Sequence, residues 1–176
     1  RFRASYDCPM EGQEGEILAD PSTQSLLVLD CTSGSVRRLA ADGKLEMIIA
    51  GMTGGGRSSS AVATSIALNS NGNVLIGTEN ASILEFDTEG MLQGTFGEER
   101  FEEVADIAVT DDGNLFVLES KAARIKRFGR HGWLRDSFGA KGEYEGQFQR
   151  PSKICFDSAG TLYILDEGKS TIQKFT

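Results

Sequence analysis

A repeat of fixed order constrains this chain more than any other feature. Four segments align: EILADPSTQSLLVLD, SIALNSNGNVLIGT, DIAVTDDGNLFVLE and KICFDSAGTLYILD. Each is an apolar run, a polar turn and a second apolar run. Their anchors Ile17, Ile66, Ile107 and Ile154 are spaced by 49, 41 and 47 residues. A third run follows in every copy (SVRRLAADG, SILEFDTEG, RIKRFGRHG, TIQKFT), and the first three copies add a fourth (KLEMIIAG, MLQGTFG, WLRDSFG). Short β-branched and aromatic runs bounded by turn residues read as strands. Asn71-Gly72, Asp112-Gly113 and Ala159-Gly160 mark a hairpin between the first two strands; Asp42-Gly43, Glu89-Gly90 and His131-Gly132 mark one between the third and fourth. Glycine there supplies the positive φ that tight hairpin loops need.

Four antiparallel strands per 41 to 49 residues is the arithmetic of a β-propeller blade. The expected fold is all-β: a β-propeller of four-stranded antiparallel blades, about four repeats, in an incomplete or small ring. The single domain, or propeller fragment, spans residues 1–176. It divides into an outer strand (1–8), repeat 1 (9–51), repeat 2 (52–97), repeat 3 (98–139) and repeat 4 (140–176), which lacks its outer strand.

Residues 142–175 carry Gly142, Gly146, Phe148, Pro151, ICFD, Gly160, LYILD and IQKF, and residues 97–139 repeat the pattern with Gly97, Phe101, IAVTDDGNLFVLE, RIKRF, Gly132 and SFG. This pattern resembles the NHL repeat. The first copy departs from it in a hairpin, ADPSTQS, that lacks its glycine. The second departs in a turn one residue shorter and in the entry loop GMTGGGRSSS. NHL propellers usually have six blades, and some are RNA-binding proteins or metal-dependent lyases.

The fourth copy stops after its third strand, while RFRASYD precedes the first copy at the spacing of an outer strand: Phe2 lies 15 residues before Ile17, and Phe138 lies 16 before Ile154. Pairing the two termini would cover exposed sheet edges. A four-bladed ring, an oligomerising half-ring and a fragment of a larger propeller all fit this arrangement.

The candidates for chemistry reduce mostly to structure. GMTGGGRS has the glycine spacing of a phosphate-binding loop, but it falls where the repeat needs a blade connection and no helix follows. One histidine, His131, cannot build a several-histidine zinc site. Three dispersed cysteines contain no CxxC pair and fit a reducing, cytoplasmic compartment; Cys155, inside KICFD, reads as a buried small hydrophobe. Asp30, Glu119 and Asp166 end the second strand in three copies and read as acceptors for turn amides. No catalytic residue, metal ligand or cofactor site is read, and no run approaches the length of a membrane span.

Charge is more informative. The chain carries −8 overall, yet residues 121–153 hold nine basic side chains against Asp136, Glu143 and Glu145, a local balance of +6. Lys121, Arg124, Lys126, Arg127, Arg130 and Arg135, with Trp133, are the expected partner-binding surface. The leading functional reading is therefore a non-enzymatic protein–protein interaction or scaffold module. The resemblance implies two others: part of an NHL-like lyase or hydrolase whose metal ligands lie outside this chain, and an RNA-binding domain, which the acidic net charge disfavours.

Overall fold

The computed structural model describes Ser5 and residues 15–50, 62–96 and 101–176. The expected outer strand at 1–8 (save Ser5), Cys8 and the loop 51–58 lie outside the described residues.

Four small antiparallel meanders follow one another. The first blade is β1 (Gly15–Asp20), β2 (Ser25–Asp30), β3 (Ser35–Leu39) and β4 (Leu45–Ala50). The second is β5 (Ala63–Leu68), β6 (Val74–Thr78), β7 (Ser82–Phe86) and β8 (Leu92–Thr95). The third is β9 (Asp106–Val109), β10 (Leu115–Glu119), β11 (Arg124–Phe128) and β12 (Leu134–Phe138). In the fourth, β13 (Pro151–Phe156), β14 (Leu162–Asp166) and β15 (Thr171–Phe175) make a three-stranded sheet. Each strand pairs only with its chain neighbours, and the first strands lie side by side, β1 by β5, β5 by β9 and β9 by β13. This is a four-bladed β-propeller arrangement, with β1, β5, β9 and β13 innermost.

The core lies in the seams between blades, which is why both faces of the middle strands are apolar. Leu27, Leu29 and Val36 of the first blade meet Ile66, Val74 and Ile76 of the second. Leu75 and Ile83 meet Val104, Ile107 and Val117. Phe116, Leu118 and Ile125 meet Phe148, Ile154 and Ile164. Where other blades carry Leu29, Leu118 or Leu165, the second has Gly77, and a Cβ there would fall 2.6 Å from Val104 Cγ1. The missing side chain makes room for the valine of the next blade.

Two faces have no blade against them among the described residues. On the fourth blade, Leu165 pairs with Ile172, and they are 38% and 67% exposed; their counterparts Leu118 and Ile125 are fully buried. Cys155 shares that face opposite Tyr163 and is exposed. This corrects the expectation of a buried thiol: an apolar strand is covered on both sides only where blades flank both sides. On the first blade, Ile17 is exposed, whereas the equivalent Ile66, Ile107 and Ile154 are buried.

Turns repeat as closely as strands. Gly72, Gly113 and Gly160 take positive φ in the first hairpin, and each donates its amide to the carbonyl three residues back. The first blade lacks that glycine and uses another turn. Asp20 Oδ1 accepts the amides of Ser22 and Thr23, as Asp30 Oδ1 accepts those of Thr32 and Ser33. Gln24 there takes φ 56°. The last residue of every second turn is also left-handed: Gly34, Ala81, Ala123 and Ser170.

Candidate functional site

The third blade carries the basic segment, and its strands divide the seven expected contact residues into two groups. Lys121, Arg124 and Lys126 lie toward the β10–β11 turn, beside carboxylates. Glu119 is fully buried and accepts Arg124 Nε at 3.0 Å, Arg124 Nη2 at 2.9 Å and the Glu102 amide at 2.7 Å. Lys126 Nζ lies 3.7 Å from the same carboxylate and 5.1 Å from the Phe101 ring centroid, a cation–π contact. Lys121 faces Glu103. Buried charges persist only when paired, so these three basic residues hold the entry segment 101–105 against their own blade.

At the opposite end of the blade, Arg127, Arg130 and Arg135 converge. They line an open hollow of about 460 Å³ together with Asp112, Asn114 and His131. Arg127 closes on Asp136 through two nitrogens, with Nε 3.1 Å from Oδ1. Arg130 Nε donates to His131 Nε2 at 3.0 Å, and among the described residues neither Arg130 nor Arg135 is ion-paired. Trp133, 67% exposed, opens the adjoining outer strand. Asp112 is occupied: it accepts the Thr110 hydroxyl and the Asn114 amide, and the Thr110 bond, with help from Asn114, holds its carboxyl below the usual range against slight desolvation. His131 is exposed in its hairpin.

A second cluster joins all four blades where the inner strands begin. Glu16 Oε2 on β1 accepts the Ile66 amide of β5 at 2.9 Å, and Asp106 Oδ2 on β9 accepts the Ile154 amide of β13 at 2.8 Å. Lys153 Nζ bridges both acids, 3.0 Å from Glu16 Oε1 and 3.3 Å from Asp106 Oδ1. Burial pushes Asp106 up to about 6, against the pull of Lys153 and of the Ile154 amide. For Lys153 burial opposes the charge, but attraction to Asp106 and then to Glu16 outweighs it and raises the ammonium above its ordinary value. Sequence reasoning missed this group although a signal was present. Glu16, Ser65, Asp106 and Lys153 each precede the anchor isoleucine of their repeat.

The strand-end acids serve the backbone. Asp166 accepts the amides of Gln149, Arg150 and Lys169. Burial works against its ionisation, but those amides, Arg150 first, hold it below the usual range. Among the described residues no group of three or more metal-ligating side chains forms, and no helix is long and apolar enough to cross a membrane.

The fold and these sites define a β-propeller built from repeats. Residues 148–175 match the family model described as NHL repeat, so the resemblance read in the fourth copy holds. No curated protein sequence matches the chain. Solved structures with similar folds include a streptogramin B lyase, at 13% identity and TM-score 0.64 over 90% of this chain and 53% of that one. They also include a gluconolactonase from Xanthomonas campestris, at 16% identity and TM-score 0.64 over 88% and 55%. A third is a catalytically inactive virginiamycin B lyase from Staphylococcus aureus with quinupristin, at 14% identity and TM-score 0.67 over 97% and 58%. The chain spans a little over half the length of each. At such identities the likeness is one of fold.

Proposed function

We propose that this propeller is a non-enzymatic interaction module that binds an acidic surface of a partner protein at the end of its third blade formed by the β9–β10 and β11–β12 hairpins. The observation that supports this reading is the convergence of Arg127, Arg130 and Arg135 on one open hollow, with exposed Trp133 two residues along the chain from His131. Arginine and tryptophan are the residues that most often dominate binding energy at interfaces, and planar guanidinium groups pair with carboxylates through two parallel bonds. Lys121, Arg124 and Lys126 contribute here by fixing the blade. Reversing charge at Arg127, Arg130 and Arg135 is expected to abolish partner capture in a pull-down; capture that survives all three reversals rejects the reading.

A second reading rests on the inner cluster. Asp106, with its carboxyl pushed up to about 6 beside Lys153, has the perturbed character common at functional sites, and similar folds include a lyase and a gluconolactonase. Stoichiometric metal in the purified full-length protein would favour an enzyme of that kind over a binding module.

A further inference from the structure

The arginine hollow has a neighbour. On the other side of the Arg130–His131 pair a cleft of about 180 Å³ opens between the second and third blades. Its floor is Leu75, Phe96, Val109 and Leu115, its rim Asn69 and Ser70, and Arg130 and His131 line both spaces. One space collects cations; the other has an apolar floor and the room of about six waters. They are divided by a single pair of side chains.

We propose that the two spaces form one peptide site, for an acidic segment that carries an apolar side chain within a few residues of its carboxylates. This rests on the functional reading above and specifies the partner. The carboxylates lie among Arg127, Arg130 and Arg135, the apolar side chain enters the cleft, and the chain between them crosses the Arg130–His131 pair beside Trp133. Displacing water from the cleft with an apolar side chain is worth roughly tenfold in affinity. A polyanion such as RNA fits less well, because Asp112 and Asp136 flank the same arginines and would repel a continuous run of phosphates.

The chain contains one tryptophan and one histidine; His131 lines both spaces and exposed Trp133 follows it by two residues, so both can be followed without labelling. Three capped synthetic peptides serve as probes: one with a leucine two residues from a pair of glutamates, one with alanine for the leucine, and one with glutamines for the glutamates. Each is titrated into the full chain while Trp133 fluorescence and the His131 ring signals are recorded. The leucine peptide is expected to bind at least tenfold more tightly than either of the others. Ser70→Phe, which fills the cleft from an exposed turn, is expected to erase the preference for leucine and keep the preference for acid. Equal binding of the leucine and alanine peptides, no binding of any peptide, a leucine preference that survives Ser70→Phe, or displacement of the leucine peptide by an equimolar uridine oligonucleotide overturns the proposal. If charge reversal abolishes partner capture while leucine and alanine peptides bind alike, only this inference fails. If capture survives charge reversal, the reading beneath it fails.

Discussion

The Asp106 carboxylate accepts the Ile154 amide at 2.8 Å across the seam between the third and fourth blades, and it does so while 2% exposed. Its pKa is raised from 3.8 to about 6 by burial. Between those values the folded chain binds more protons at this site than the unfolded chain, so stability falls as pH rises through the interval. A rise of that size corresponds to about 3 kcal/mol. Asp106→Asn keeps an acceptor for the Ile154 amide and has no charge to bury. Urea denaturation at pH 4.5 and pH 7 is expected to show a smaller loss of stability in the variant than in the parent. An equal loss in both would place the pH dependence elsewhere.

Lys153 and Glu16 act on that carboxyl with opposite signs. Lys153→Met removes the attraction that lowers the Asp106 pKa, and Glu16→Gln removes a repulsion that raises it. A carbon-detected NMR titration should therefore move the Asp106 midpoint upward in the first variant and downward in the second. Movement in the same direction would contradict the geometry.

Equivalent leucines should differ in consequence because their seams differ. Leu118 is fully buried against the fourth blade and Leu165 is 38% exposed. Leu118→Ala is expected to cost about 2–5 kcal/mol, the range for truncating a buried leucine. Leu165→Ala should cost about 1 kcal/mol or less. Chemical denaturation of both variants makes the comparison.

Gly139 meets two demands at once. Its φ is +89°, and a Cβ would come within 2.6 Å of Phe148 Cε2 and 2.9 Å of the Ala123 carbonyl oxygen. Gly139→Ala is expected to destabilise by about 2 kcal/mol or more, combining backbone strain with overpacking. The melting temperature and the near-ultraviolet signal of the aromatic residues would both register the loss.

Much of the propeller is legible in the sequence because its signals are local. A glycine at the end of a turn and alternating apolar runs each act within a few residues. The one-residue shortening of the second blade's turn is visible for the same reason, as β6 ends at Thr78 and β7 starts at Ser82. The candidate sites are less legible. The basic run is continuous in sequence, but reversal of the chain at Phe128 and Leu134 sends Arg124 to one end of the blade and Arg130 to the other. Glu16 and Lys153 are 137 residues apart and become partners only when the inner strands of all four blades are assembled. The exposure of Cys155 follows from which blade faces are covered, a property of the assembled sheets that no strand reveals alone.

The left-handed position that closes the second turn of every blade has an energetic consequence. Gly34, Ala81, Ala123 and Ser170 share it, so every blade makes the same backbone demand at that point. Three of the four copies hold a residue other than glycine there, and a non-glycine residue in that conformation carries strain of about 1 kcal/mol. Glycine at any of those three turns would relieve the strain without altering a residue that lines the arginine hollow or bonds within the inner cluster.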